Sequence, residues 1–237
     1  NTYNNKFPYL RVIAFGIKEL DHFDTGINPK EYETTGNYTF LSILGIQDEL
    51  QSNIKETISY LKSFKKTISI CTGDRKETAL YISQQIGILN KKTLSFNDDL
   101  NISDINDRTF IFSSKDIENS MINFNLMNKF NNFIMNSHNF VSFSLIPKDK
   151  QFIANIFEAH NKHIISIGDG TNDIPMLKTS TVAIGIDNKL NTNVINNSHI
   201  SIDKFEKVSK IQDDTTNFNN INIKSAFAIY YKTLLIN

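Results

Sequence analysis

From Phe40 onward, short apolar runs alternate with stretches whose apolar residues recur at helical spacing, and few folds accommodate that order. Phe40–Gly45 reads as a strand, and Asn53–Phe64 as a helix with Ile54, Ile58, Leu61 and Phe64 on one face. Thr67–Cys71 predicts the next strand and Arg75–Ile86 the next helix. Phe110–Phe112, Phe124–Ile134 and Phe140–Ser144 continue the alternation. Pro147 then opens a helix with Phe152, Ile153, Ile156 and Phe157 on its core side, and Ile164–Ile167, a short helix and Val182–Ile186 follow. Proline suits the first helical turn, where its missing N–H costs nothing. Strand and helix alternating at this pitch predict right-handed βαβ units, hence an α/β domain with a mostly parallel sheet flanked by helices. Ahead of it lie a strand-like Val12–Phe15 and a polar connector whose Asp24, Gly26, Asn28, Pro29 and Gly36 mark turns. The Asn-rich segment 90–108 predicts a loop or small insertion, and 187–198 a second loop.

In an open α/β sheet, ligands gather beyond the carboxyl ends of the strands. Three motifs fall there. Gly168-Asp169-Gly170-Thr171-Asn172-Asp173 follows Ile164–Ile167 and sets two carboxylates four residues apart. Thr72-Gly73-Asp74 closes the strand ending at Cys71, and Lys150 lies in the first turn after Pro147. Asp residues with a nearby Lys suit hard ions and phosphoryl oxygens, and Mg²⁺ takes carboxylate, water and phosphate oxygens in octahedral array. Thr72 and Lys150 are candidates to contact phosphoryl oxygens, and the Gly170 and Thr171 amides to add to the field. Singly, each motif also has a structural explanation. Gly-Asp-Gly serves as a tight turn capped by Asp, Lys150 as a solvated lysine, and Cys71 as filler at a strand end. Their order along one chain favours the joint reading. Phosphoryl transfer through an enzyme intermediate also needs a nucleophile, usually an Asp ending another strand. Asp48 lies beyond Ile46-Gln47 and reads as the approach to a helix. The chain therefore predicts a phosphate-and-metal scaffold without its nucleophile.

The 25 basic and 25 acidic residues leave no net charge, so no nucleic-acid partner is expected. One cysteine excludes an internal disulfide and fits a reducing compartment. The polar first residues predict no signal peptide, and no run reaches the roughly 20 apolar residues of a bilayer span. Ala226–Ile236 is compatible with an amphipathic helix docked on the domain, or with the start of a membrane-entering helix.

These motifs resemble, in order, the phosphorylation domain of P-type ATPases, a haloacid-dehalogenase-like Rossmannoid fold. The likeness is nearest to its carboxyl-terminal part in the phospholipid-flippase, P4-type, branch. Cys71-Thr72-Gly73-Asp74-Arg75-Lys76-Glu77-Thr78-Ala79 resembles Thr-Gly-Asp-Lys-x-Glu-Thr-Ala. Pro147-Lys148-Asp149-Lys150 resembles Pro-x-x-Lys, and Gly168–Asp173 resembles Gly-Asp-Gly-x-Asn-Asp. Leu41–Gln51 is similar to the flippase stretch ending Asp-Lys-Leu-Gln, Leu10–Phe15 to the return from the nucleotide-binding domain, and Lys224–Thr233 to the stalk before a membrane helix.

The resemblance implies three segments: 1–38 as return segment and connector, 39–205 as the domain core, and 206–237 as a stalk leading to a truncated membrane helix. It implies Lys150, Asp169 and Asp173 as catalytic residues, with Asp169 and Asp173 at Mg²⁺. Thr72, Gly73, Asp74 and Asn172 would contact ATP or its phosphoryl group. The implied parent is a multi-pass membrane protein that translocates phospholipid, with this segment on the cytoplasmic side and an accessory membrane subunit as a possible partner. Departures from the pattern are the absent Asp-Lys-Thr-Gly-Thr nucleophile and the lack of a basic residue in Phe143-Ser144-Leu145-Ile146, where flippases place an Arg. Pro175 and Leu177 are closer to other branches. The Asn-rich loops resemble apicomplexan composition, which leaves open a regulatory pseudo-ATPase domain fused to a guanylyl cyclase.

Overall fold

A computed structural model describes residues 10–22, 24–26, 28–34, 36–46, 49–89, 92–97, 101, 105, 108–187, 192–212 and 222–223. It divides into two units, residues 1–49 and 50–237. In the first, β1 (Arg11–Ile17) pairs antiparallel with β2 (Thr39–Ile46), and the short helix α1 (Pro29–Thr34) lies in the connector. The strand expected to open the parallel sheet is therefore half of a ribbon. A connector long enough to bend back lets it meet β1. Ile13, Phe15 and Ile17 of β1 and Phe40, Leu41, Ile43 and Leu44 of β2 are all exposed, so apolar side chains occupy both faces.

The second unit carries two four-stranded sheets. Its elements begin with α2 (Ile54–Ser63), β3 (Ile70–Cys71), α3 (Lys76–Gln85), β4 (Thr93–Ser95) and β5 (Thr109–Ser113). Next come α4 (Ser114–Ser120), α5 (Phe124–Asn136), β6 (Phe140–Phe143) and α6 (Pro147–Ala159). Then follow β7 (Ile165–Gly168), a 3₁₀ turn (Thr171–Asp173), α7 (Ile174–Thr179) and β8 (Val182–Ile186). The last elements are α8 (Thr192–Asn196), β9 (Ile200–Ile202), α9 (Lys207–Gln212) and β10 (Asn222–Ile223). The first sheet runs β3-β6-β5-β4 and is parallel throughout. In the second, β7, β8 and β9 are parallel and β10 adds antiparallel to β9. This is the α/β arrangement of mostly parallel strands that the strand–helix alternation predicts, and the Rossmannoid fold that the resemblance implies.

Side-chain alternation assigns the faces. Phe110 and Phe112 of β5 enter an aromatic core with Phe130 and Phe133 of α5, while Ile111 between them joins Ile58 of α2 and Ala79 of α3 on the opposite face. Both phenylalanines of β5 are 0% exposed. Burying one such side chain contributes about 1.5–3 kcal/mol. In β8, Val182 and Ile184 face Ile200, Ile202 and Val208, whereas Ala183 packs with Leu177 and Val194. Two of the expected loops contain elements. Thr93–Ser95 forms the edge strand β4, with Leu94 buried, and Thr192–Asn196 forms α8, with Val194 buried. Each hangs on one apolar anchor, too little periodicity to register in an Asn-rich segment. Asp48 and most of the expected stalk and membrane-entering tail lie outside the described residues. Among the described residues no helix is long and apolar enough to cross a membrane.

Candidate phosphoryl site at the carboxyl edge

Three strands of the second unit end on the expected motifs. After β3, the Thr72 hydroxyl donates to Asp74 Oδ2 at 3.0 Å and accepts the Asp74 amide at 3.1 Å. This local ring turns the chain sharply before α3. The turn is laced to the one after β6: Leu145 N donates to Thr72 O at 3.0 Å and Ser144 N to Asp74 O at 2.7 Å. Ser144 adopts a left-handed conformation, φ 53°, in the same turn. Gly73 lies close to this second strand end, since a β-carbon there would sit 3.4 Å from Leu145 O.

Pro147 begins α6, and Asp149 accepts the Ile146 amide at 2.9 Å, satisfying the helix N-terminus. That cap fixes the first turn and so the root of Lys150. Lys150 is only 5% exposed and Asp173 8%. The Lys150 ammonium donates to Asp173 Oδ1 at 2.7 Å. The other oxygen, Oδ2, accepts the amides of Asp169 at 3.3 Å and Gly170 at 3.2 Å. One buried carboxylate therefore joins α6 to the turn after β7 and holds that turn's amides inward.

Gly168 makes this possible. A β-carbon there would come within 2.6 Å of the Asp173 β-carbon, so Asp173 seats against bare backbone. A buried hydroxyl pair supports the same turn: Ser180 Oγ donates to Ser166 Oγ of β7 at 2.5 Å, at the end of α7. Cys71 ties β3 to the centre. Burial raises its thiol pKa, a Ser142 hydrogen bond and Lys150 act to lower it, and Asp173 acts to raise it.

The structure thus joins Lys150, Asp173 and the Asp169–Gly170 backbone, and joins Thr72, Gly73 and Asp74 to the loop after β6. Asp169 and Asn172 present exposed side chains at the rim. Among the described residues no three His, Cys, Asp or Glu side chains are grouped to hold a metal. Ser166 and Ser180 escape the motif reading, and the supporting roles of Asp149 and Gly168, both motif members, are not assigned by it. Asp149 carried a signal of its role, an acidic residue in the first turn after Pro147.

Comparisons with known proteins identify the family. The family model described as haloacid dehalogenase-like hydrolase matches residues 16–180. A calcium-transporting ATPase of Plasmodium falciparum is 26% identical over 179 residues, 75% of this chain and 14% of its own length. A phospholipid-transporting ATPase of Saccharomyces cerevisiae is 21% identical over 84% of this chain and 16% of its own length. A plasma-membrane-type probable calcium-transporting ATPase of Oryza sativa is 22% identical over 75% of this chain. The chain is thus related to P-type ATPases of both cargo kinds, without singling out the phospholipid branch. It spans 14–16% of the length of these relatives.

Proposed function

The chain belongs to the haloacid dehalogenase-like hydrolase family, and from that premise we propose that it forms part of the phosphorylation domain of a P-type ATPase. Within that class we favour a phospholipid translocase of the P4 type, working through an aspartyl-phosphate intermediate. The observation that carries the reading is the buried Lys150–Asp173 pair, whose carboxylate also accepts the Asp169 and Gly170 amides.

In this scheme Lys150 exchanges Asp173 Oδ1 for a phosphoryl oxygen and neutralises its charge. The Thr72 hydroxyl and the Asn172 amide donate to other oxygens, while Gly73 and Asp74 shape the ATP-facing wall. Until the phosphoryl group arrives, Asp173, with both oxygens engaged, holds Lys150 and the Asp169 turn in register. The exposed Asp169 carboxylate fits Mg²⁺ as one of few protein ligands, since Mg²⁺ commonly takes one or two carboxylates and completes its shell with phosphate and water. Asp169, and Asp173 if its oxygens are released, would hold the ion, which when bound supplies charge neutralisation.

The nucleophile would come from the remainder of the polypeptide. Two features support a larger protein. Among the described residues the strands carrying the site, β3 and β7, each lie at the edge of their sheet. The β1–β2 ribbon is apolar on both faces, a pattern of strands covered on both sides. In the proposed parent this segment is cytoplasmic and the lipid path lies in membrane helices elsewhere.

Titration calorimetry with Mg²⁺ and orthovanadate, on the chain and on Asp169→Asn, tests the site. The expected result is Mg²⁺-dependent binding that Asp169→Asn abolishes. Equal binding by both proteins would sink the assignment of Asp169. No binding by either would favour the regulatory pseudo-ATPase reading.

A further inference from the structure

We infer that Val194 is a positioning residue of the phosphoryl site, holding the Asp169–Asp173 turn from the side of α8. The inference rests on the phosphoryl-site reading above and adds a residue that lies outside all three motifs. The 3₁₀ turn Thr171–Asp173 packs against two helices, α6 and α8. From α6 it receives the Lys150–Asp173 ion pair. What α8 contributes is apolar. Val194 is 0% exposed and clusters with Leu177 and Ala183, and Ile174 packs against that cluster. Ile174 follows Asp173 directly in the chain. A side chain lodged there limits how far the turn can swing.

The helix is short but firmly seated. Gly185, in β8, is the register partner of Gly168. As Gly168 leaves room for Asp173, so Gly185 leaves room for the end of the α8 segment. A β-carbon on Gly185 would overlap Ser198 Oγ and come within 3.2 Å of Ile195 Cδ1. Ser198 Oγ donates to Val194 O at 2.6 Å. His199 then clamps β8: its amide donates to Ala183 O at 2.9 Å, and its Nδ1 accepts the Ala183 amide at 2.9 Å. The turn is therefore held in two ways, by an ion pair through α6 and by apolar packing through α8. Only the first is given up when Lys150 exchanges Asp173 for a phosphoryl oxygen. Val194 keeps the turn, and with it Asp169, in place while that exchange occurs.

Hydrogen exchange resolved to single amides, and calorimetry with orthovanadate and Mg²⁺, test this on the full chain. Val194→Ala removes two buried methyl groups and adds no contact. The Asp169 and Gly170 amides, bonded to Asp173 Oδ2, should exchange about tenfold faster, the scale of that lost burial. Phe133→Leu, in the aromatic core of the other sheet, should lower the urea midpoint and leave those two amides unchanged. Gly185→Ala should weaken orthovanadate about tenfold, within the roughly 100-fold that about 1 Å of misplacement can cost. Gly185→Ala/Ser198→Ala, which removes the overlapping hydroxyl, should restore most of that affinity. Unchanged exchange in Val194→Ala, or equal acceleration in Phe133→Leu, overturns the role of Val194 while leaving the pocket standing. Undiminished orthovanadate binding by folded Gly185→Ala does the same. If Gly185→Ala does not fold, the exchange comparison decides alone. Failure of the unaltered chain to bind orthovanadate removes the pocket reading and this inference together.

Discussion

Replacing Asp173 by Asn isolates the central contact of the site. The substitution keeps size and shape but leaves the Lys150 ammonium, 5% exposed, without its anionic partner at 2.7 Å. Removing one member of a buried pair costs about 3–5 kcal/mol, because the remaining charge stays desolvated. The Asn carbonyl still accepts one hydrogen bond, and the two side chains retain 6% and 11% exposure, which sets the expectation at the low end, about 3 kcal/mol. Urea unfolding should show this as a lower midpoint at unchanged slope. Melting should fall by about 6–12 °C for a chain of this size. The double variant Lys150→Met/Asp173→Asn should recover much of the loss, since an apolar side chain needs no partner. A single Asp173→Asn variant within about 0.5 kcal/mol of the parent would mean that the pair is solvated, and the account of the site would fail.

Gly168→Ala should displace Asp173, because the new methyl would meet its β-carbon at 2.6 Å. A loss of about 1–3 kcal/mol together with weakened orthovanadate binding is expected, and unchanged values would show that the turn yields freely. The raised pKa of Cys71 makes its thiol a poor nucleophile, so folded chain should react with iodoacetamide far more slowly than chain in urea. The same shift fixes a pH dependence. Below the ordinary thiol value both states hold the proton and stability is unaffected. Above it the unfolded chain releases a proton that the folded chain retains, so stability falls as pH rises. Cys71→Ala should flatten that alkaline decline, which parallel urea titrations at pH 8 and pH 10 would reveal.

The parallel core was legible because its strands announce themselves. Phe110, Ile111 and Phe112 are apolar on both faces, and Pro147 marks the start of α6. Strand partners were not legible. Nothing in Phe40–Gly45 distinguishes a strand that enters the parallel sheet from one that pairs with β1, since its residues are apolar either way. At the site, Lys150 and Asp169 were visible as motif members. The engagement of Asp173 was not, because it depends on α6 bringing Lys150 to Oδ1 and on Gly168 lacking a side chain. Ser166 and Ser180 meet across 14 residues and look in sequence like any surface serines.

The β1–β2 ribbon also governs how this polypeptide behaves in a test tube. Phe40, 63% exposed, and Leu41, 58% exposed, stand on opposite faces of the same strand. Those faces, and the strand edges that have no partner among the described residues, offer a template to any other copy. Purified alone, the chain should self-associate in proportion to concentration, and a version beginning at Leu50 should stay dispersed.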